Sequence, residues 1–285
     1  MNKKSKSIIV IILFFTPLIS SVVMFGISEF PKTAPIKSEI KFMTYNIHFG
    51  QGMDDLLNLE RIAQNILYID PDILGLQEVE NGRITSQGVD MALWLAKRLN
   101  MNYFYFPAVN EHAFGCALLS KFPIKSAKGT PIPSILLERV LIHGVISINS
   151  TLDIDVFVTH LGIREENNSA QVDYVLDRIA AQPLTKPKVL MGDFNLNYSI
   201  EEIQRISNNT LINMTDTQTS YYETGDYTYP SYPLDAINEG VIDYIFATNC
   251  TVIDGDIVES FINGSDTAAE FGSDHRPVWS ILRFT

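Results

Sequence analysis

The sequence predicts an α+β fold, in which β-sheets pack face to face as a layered sandwich and helices lie outside them. Short strand patterns, about ten in number, dominate the chain after residue 40, and only a few helical patterns stand between them. The composition, with 46% hydrophobic and 19% charged residues, is that of a globular chain with a sizeable core. Because no shift in composition marks a boundary, we expect residues 40–285 to form one domain.

The N-terminal segment differs from the rest of the chain. Three lysines precede the stretch Ser7–Ser28, which carries no charge and is long enough to span a bilayer. Since such lysines stay on the cytoplasmic side, we expect a single-pass anchor at residues 1–28, a linker at 29–39 and the domain outside the cytoplasm. A cleaved signal segment is the alternative, because small residues near its end could form a cleavage site, and the domain would then be secreted.

The first half of the domain alternates strand and helix patterns. EIKFMTYNI (39–47) predicts a strand, and NLERIAQNILYI has helical spacing between a cap at Asn58 and a stop at Asp70, which precedes a proline. DILGLQEV (72–79) predicts a buried strand, and VDMALWLAKRL predicts a second helix.

The second half is richer in strands. FGCALLS, RVLIHGVISI, LDIDVFVTHL and KVLMGDF predict strands, and SAQVDYVLDRIAA predicts a helix between the last two. VIDYIFA, CTVIDGDIVES and RPVWSILRF finish the chain with strands. Cys116 and Cys250 both lie in these apolar runs, so we expect two free thiols, with a disulfide in an oxidising compartment as the alternative.

Polar side chains recur in or beside these strands, mostly where a strand ends. One buried carboxylate has ordinary explanations, such as a cap or a salt bridge, but the same pattern at so many strands indicates one shared site. Carboxylates and carboxamides without a cysteine suit a hard cation such as Mg²⁺ or Mn²⁺. In chain order the candidates are Asn46, Glu78, His160, Asp193, Asn195, Asp243, Asp274 and His275.

The stretch VLMGDFNLN carries two of these candidates. Asp193 and Asn195 stand two residues apart, and this spacing places both on the same side of an extended chain. A turn is the structural alternative, since Gly, Asp and Asn all favour turns. The polar residues at the other strand ends favour a site.

Six motifs in order, TYNI, LQEVE, THLG, GDFN, IDYI and SDHRP, resemble those of the endonuclease/exonuclease/phosphatase superfamily. The resemblance runs from about Phe42 to Val278. It implies a four-layered sandwich of two mixed β-sheets flanked by helices, and metal-dependent hydrolysis of a phosphoester.

The resemblance also implies a role for each residue. Asn46, Glu78 and Asp274 would bind or surround the metal. His275 would contact the scissile phosphate, and Asp243 would hold its other ring nitrogen.

Three further residues complete the implied site. Asp193 would orient and deprotonate the attacking water, while Asn195 and His160 would hold phosphoryl oxygens. Displacement at phosphorus requires such a set independently of any family, because the water must be aligned and the developing charge neutralised.

Additional substrate contacts are open at this stage. Arg83 and Arg139 are candidate phosphate contacts, and solvated arginines are the alternative. His48 follows the Asn46 strand end and is a candidate for the headgroup pocket. The Tyr-rich segment 219–233 is either a substrate-facing loop or a packed surface loop.

Charge and a second resemblance narrow the substrate class. The net charge of −12, without a Lys/Arg cluster, disfavours nucleic acid and leaves an extracellular endonuclease as the alternative. Residues 71–124 are similar to the phosphodiesterase-like domain of proteins that remodel the lipid of GPI anchors. We therefore predict a membrane-tethered, Mg²⁺-dependent phosphodiesterase that acts on a lipid or glycolipid headgroup. A non-catalytic binding module is the third hypothesis. No protein partner can be inferred from the sequence.

Overall fold

In the part of the chain that the structure describes, two six-stranded mixed β-sheets carry flanking helices, as the sequence and its resemblance predict. The computed structural model describes residues 37–108, 113–134, 138–163, 165–217, 227–231, 240–258 and 271–284. Among these residues no helix has the length and apolar character needed to cross a membrane. The predicted anchor at 1–28, and the linker up to residue 36, lie outside the described residues.

The first sheet has the strand order β11-β12-β1-β2-β4-β3. β1 and β2 are parallel, and the other neighbours are antiparallel. Its strands are β1 (Ile40–Asn46), β2 (Ile73–Glu80), β3 (Asn102–Pro107), β4 (Phe114–Ser120), β11 (Cys250–Ile257) and β12 (Val278–Phe284).

The second sheet has the strand order β5-β6-β7-β8-β10-β9. Only β7 and β8 are parallel neighbours. Its strands are β5 (Ile124–Ile132), β6 (Arg139–Ser147), β7 (Asp153–His160), β8 (Lys188–Asp193), β9 (Thr215–Asp216) and β10 (Asp243–Ala247).

Local capping sets the ends of the first two helices. The Asn58 side chain accepts a hydrogen bond from the Arg61 N–H at 3.1 Å, and Asp70 ends the helix in the left-handed conformation. Asp90 caps the second helix through the Leu93 N–H. The described helices are α1 (Leu59–Ile69), α2 (Met91–Leu99), α3 (Glu165–Ala180) and α4 (Glu201–Ser207), with a 3-10 turn at His48–Gly50.

Alternation along the strands divides the apolar side chains between two cores. Phe42 of β1 and Val158 of β7 belong to the core that contains the interface between the sheets. Met43, the next residue of β1, packs with the helix residues Ile62 and Leu95 on the outer face of the first sheet. The fold thus has the layer order that a helix-flanked sandwich requires.

Sequence patterns missed the short helix α4 and the strands β3, β5 and β9, which are edge strands of their sheets. β5 contains Lys, Gly and Pro, and β3 ends in Pro, because an edge strand needs no second row of hydrogen bonds. Cys116 and Cys250 are free thiols, as expected. They lie on strands four spacings apart, which is roughly 19 Å and too far for a disulfide.

The two parallel pairs position the polar residues. The carboxyl ends of β1 and β2 lie at one edge of the first sheet, and those of β7 and β8 lie at one edge of the second. A hydrogen bond of 2.9 Å between Asn46 and Asp193 joins these two edges. We call this common border the carboxyl edge.

Candidate active site

Five of the predicted residues meet at the carboxyl edge with their side chains buried. Asn46, His160 and Asp193 are the last residues of β1, β7 and β8. Asp243 is the first residue of β10 and pairs in register with Asp193, because β10 runs antiparallel to β8. His275 lies in the loop before β12.

His275 and Asp243 form a hydrogen-bonded pair. Nδ1 of His275 lies 2.9 Å from Oδ2 of Asp243. Burial lowers the pKa of His275, but the negative charges of Asp243 and Asp193 outweigh it and raise the pKa to about 10. Nε2 therefore carries a proton at neutral pH. It lies 3.8 Å from the acceptor Oδ2 of Asp193 and 3.4 Å from Nδ2 of Asn46, which is itself a donor.

Asp193 is held from two sides. Its Oδ2 accepts from the Asn46 amide at 2.9 Å, and its Oδ1 accepts from the Asn195 backbone N–H at 2.8 Å. Burial and the neighbouring Asp243 raise the pKa of Asp193 to about 7, although His275 opposes them. A carboxylate with this pKa can exchange a proton near neutral pH.

Asn195 reaches the site by a different route from the one its spacing suggests. β8 ends at Asp193, and Asn195 follows in the left-handed conformation with φ of 52°. The two side chains are therefore related by a turn rather than by an extended strand, so the period-two argument was wrong. The Asn195 amide donates to the Leu161 carbonyl at 3.0 Å, which keeps it beside the His160 strand end.

His160 has Arg139 as a neighbour. Nη1 of Arg139 lies 3.0 Å from Nε2 of His160, and because a guanidinium only donates, Nε2 accepts. Burial and the Arg139 charge lower the pKa of His160 well below its usual value, so the imidazole is neutral. Arg139 is buried, which rules out a solvated surface arginine, and its Nε–H has no hydrogen-bond partner among the described residues.

A β-bulge directs Glu78. The register of β2 against β4 shifts between Leu76 and Val79, and Glu78 has a positive φ of 55°. Such a conformation is uncommon for a residue with a side chain, and bulges often re-aim side chains at functional sites. Burial raises the pKa of Glu78, although the His275 charge and an Asn46 hydrogen bond oppose it.

Asp274 and His48 lie next to Glu78 and Asn46. Oδ1 of Asp274 is 3.6 Å from Nδ1 of His48, and the His48 backbone N–H donates to Asn46 Oδ1 at 3.0 Å. The negative charge of Asp274 contributes to the raised pKa of Glu78. The three predicted metal residues thus occupy one side of the cluster, with His48 at its rim.

The chemistry of these donors fits a divalent cation. Glu78 and Asp274 are carboxylates brought near each other, and the desolvation of Glu78 would be offset by a bound positive charge. A second set in the described residues, Asp193, Asp243 and His275, has ligand atoms within 4.8 Å of one another and is also able to bind a metal. In that set, however, His275 Nδ1 is already engaged by Asp243.

Arg83 lies in the loop that follows β2. Its Nη1 donates to Glu80 at 3.1 Å, and Glu80 also accepts from Thr85. Its guanidinium lies 6.0 Å from the centre of the Phe114 ring. Arg83 thus pairs within the loop after β2, and its contact with substrate stays a prediction, whereas Arg139 contacts His160 of the cluster.

Sequence reasoning missed Ser273, and it named Tyr229 only as part of the Tyr-rich segment 219–233. Ser273 donates to the Asn46 carbonyl at 2.6 Å and accepts from the His275 N–H at 3.1 Å, which fixes the loop that carries His275. The Tyr229 ring lies 5.0 Å from the His275 ring. The position of Ser273, two residues before His275 in the sequence, was the signal that could have identified it. Most of the Tyr-rich segment 219–233 lies outside the described residues, and its described part, 227–231, packs beside the site.

A family model and a curated protein match the sequence. The model of the Endonuclease/Exonuclease/phosphatase family matches residues 43–275. Protein cwh43 of Schizosaccharomyces pombe is 31% identical over 150 residues, which make up 52% of this chain and 15% of that protein. The chain thus spans a small part of the curated relative, and this similarity supports the predicted resemblance to proteins that remodel GPI-anchor lipids.

Solved structures share the fold. An endonuclease/exonuclease/phosphatase from Beutenbergia cavernae has a TM-score of 0.65 and 24% identity, over 87% of this chain and 72% of that one. The human Nocturnin catalytic domain with bound sulfate has a TM-score of 0.67 and 23% identity, over 88% and 97%. A mannosyl-6-phosphatase from Bacteroides thetaiotaomicron has a TM-score of 0.67 and 19% identity, over 86% and 100%.

Proposed function

Since the chain belongs to the endonuclease/exonuclease/phosphatase family and is a phosphohydrolase of that superfamily, we propose that it is a Mg²⁺-dependent phosphodiesterase that acts on a lipid or glycolipid headgroup. The observation that carries the proposal is the buried cluster in which Asp193 lies beside the His275–Asp243 pair. A non-catalytic binding module would gain nothing from burying two carboxylates and a protonated imidazole together, because burial of charged groups costs free energy.

The reaction places a water between Asp193 and the phosphorus atom. Asp193 takes the proton of this water, because its raised pKa matches neutral pH and its Oδ1 is fixed by the Asn195 N–H. The Asn46 amide holds Oδ2, so the carboxylate presents one orientation to the water.

Hydrogen-bond donors that are already in place stabilise the negative charge that develops on the phosphoryl oxygens. His275 presents its protonated Nε2, and Asp243 fixes the ring through Nδ1. Arg139 offers its Nε–H, which has no partner among the described residues, while Nε2 of His160 is engaged by Arg139 and cannot itself donate to the phosphate. Donation by His160 would then come from Nδ1.

Glu78, Asn46 and Asp274 would hold the divalent cation. The cation would supply charge neutralisation at the phosphate and the leaving oxygen when bound. Glu78 is the principal ligand in this proposal, because the bulge in β2 directs its carboxylate toward the cluster.

A lipid headgroup is favoured by the surface around the site. Three loops that follow the carboxyl ends of β1, β2 and β7 expose large apolar side chains, among them Leu56 at 61%, Ile84 at 98% and Ile163 at 71%. Apolar residues around a polar site suit a substrate embedded in an apolar phase. The net charge of −12 disfavours the alternative, an extracellular endonuclease.

We further propose that Ser7–Ser28 anchors the chain, with residues 40–285 outside the cytoplasm. Full-length protein is then expected to remain with membranes during a carbonate wash. Recovery of soluble protein with a new N-terminus near Glu29 would establish a cleaved signal instead.

An activity panel tests the function itself. Phospholipids, glycolipids, plasmid DNA and bis-p-nitrophenyl phosphate are compared with Mg²⁺ and with EDTA. We expect Mg²⁺-dependent release of the headgroup from a lipid. Hydrolysis of DNA alone would establish the nuclease, and no hydrolysis of any phosphoester would overturn the enzyme assignment.

A further inference from the structure

A cavity of about 250 Å³ lies on the outer face of the second sheet, beside the C-terminal end of α3. Its lining includes His143 and Phe157, whose rings stack at 4.5 Å and an interplanar angle of 7°. Lys128 and Thr130 of β5 and Arg178 of α3 also line it. The cavity therefore combines an aromatic surface with basic side chains.

The cavity is separate from the candidate active site. Arg139 and His143 lie on the same strand, and four residues of extended chain span roughly 13 Å. No residue of the buried cluster at the carboxyl edge lines the cavity. One small ligand cannot occupy both places.

Two cations at the cavity have no ion-pair partner among the described residues. Lys128 makes no ion pair within the described part of the chain, and Arg178 packs its guanidinium on the Tyr174 ring at 4.6 Å. By contrast, Lys125 on the same strand pairs with Asp153 at 2.7 Å. Both side chains are exposed to solvent. In a chain with net charge −12 carboxylates are plentiful, so two cations that line one cavity without a carboxylate partner among the described residues favour an anionic ligand.

The nearby carboxylate is already neutralised. Asp155 is buried, and its Oδ1 lies 2.9 Å from Nε2 of His143 and 2.8 Å from Nζ of Lys186. Nδ1 of His143 remains as the other ring nitrogen. Asp155 thus orients the imidazole without cancelling the charges of Lys128 and Arg178.

We propose that this cavity binds a small organic phosphate monoester. The two cations match the charge of a phosphate dianion better than that of a carboxylate, and the Thr130 hydroxyl is a further donor. The cavity is larger than a phosphate group, so an organic part packs against Phe157 and Leu141. Such a phosphate is supplied either by a soluble metabolite or by a lipid with a terminal phosphate, and the site is independent of the proposed catalytic function.

Calorimetric titration of the full chain with glycerol 3-phosphate tests the proposal. We expect saturable binding that weakens at least tenfold in the double variant Lys128→Gln/Arg178→Gln, because two charged contacts are lost. Lys125→Gln is the matched control and is expected to bind as the unchanged protein does. The double variant is expected to retain hydrolysis of bis-p-nitrophenyl phosphate, which shows that it is folded.

The source of the phosphate follows from a second titration with water-soluble dihexanoyl phosphatidic acid. Tighter binding of this lipid than of glycerol 3-phosphate, with the same loss in the double variant, assigns the site to a lipid phosphate. Binding of the lipid that is equal to or weaker than that of glycerol 3-phosphate assigns the site to a soluble phosphate monoester. The proposal is overturned if neither ligand binds, or if binding persists in the double variant and disappears in His275→Ala, since the ligand would then occupy the candidate active site.

Discussion

The pairing of His275 with Asp243 offers the sharpest test of the site. Asp243→Asn keeps the shape of the side chain and removes its charge, so the ring loses a charged acceptor at 2.9 Å. A buried hydrogen bond to a charged group contributes about 1.5–3 kcal/mol, which corresponds to roughly 10- to 150-fold in kcat. The effect on KM is expected to be smaller, because the contact strengthens as charge develops at phosphorus.

A double-mutant cycle determines whether the pair acts as a unit. In a His275→Ala background, Asp243→Asn is expected to change kcat by less than about twofold, since the partner it orients is gone. The assay is steady-state hydrolysis of bis-p-nitrophenyl phosphate with saturating Mg²⁺. If the two losses multiply in full, the two side chains act separately and the reasoning from their contact is refuted.

The chain provides a matched control for this cycle. Asp155 and His143 form another Asp–His pair with the same distance, 2.9 Å, and Asp155 is equally buried. Because this pair lies away from the carboxyl edge, Asp155→Asn is expected to lower the midpoint of thermal unfolding while kcat stays within about twofold. A loss of kcat in this variant similar to that of Asp243→Asn would mean that the assay reports stability.

Three further outcomes are expected. Glu78→Gln should raise the Mg²⁺ concentration needed for half-maximal activity about tenfold or more, measured by metal titration, whereas full activity in excess EDTA would contradict the metal assignment. The pKa of His160 is lowered in the folded state, so the unfolded state binds the proton first as the pH falls. The contribution of His160 to the free energy of unfolding therefore decreases at pH values under about 6.5, by at most about 1.4 kcal/mol per pH unit. Urea unfolding between pH 5 and 7.5 should show a smaller decrease in the free energy of unfolding for His160→Gln. Ile84→Ser with Ile163→Ser should lower hydrolysis of vesicle-embedded lipid severalfold and leave bis-p-nitrophenyl phosphate unchanged, while the control Leu211→Ser, at a side chain 62% exposed, should affect neither; equal losses on both substrates would exclude a membrane-facing role.

Local sequence was sufficient for most elements. The cap at Asn58, the stop at Asp70 and the apolar runs of β1 and β2 predicted helices and strands that the structure contains. These signals depend only on residues close in the sequence, so they can be recognised without knowing which elements pack together. The edge strands β3, β5 and β9 were missed because their sequences lack the pattern of a strand buried between two neighbours.

Local spacing was misleading at the site itself. Asp193 and Asn195 looked like two residues on one face of a strand, but the strand ends between them and Asn195 follows in a turn. Arg139 looked no different from Arg83 in sequence, yet one is buried against His160 and the other pairs with Glu80. Neither the turn at Asn195 nor the burial of Arg139 is visible in the local sequence, because each depends on the neighbouring strands of the folded sheet.

The sequence by itself determined which polar residues are available and that they stand beside strand ends, since both follow from residue identity and short-range periodicity. Only the tertiary structure decided which of them meet and what protonation each adopts. The bond between Asn46 and Asp193 joins residues 147 positions apart, and the approach of Asn46 to His275 spans 229 positions. The raised pKa of Asp193 arises from burial and from Asp243 across the sheet. Desolvation and charge pairing depend on distances in space, which packing of the two sheets sets and no local pattern encodes.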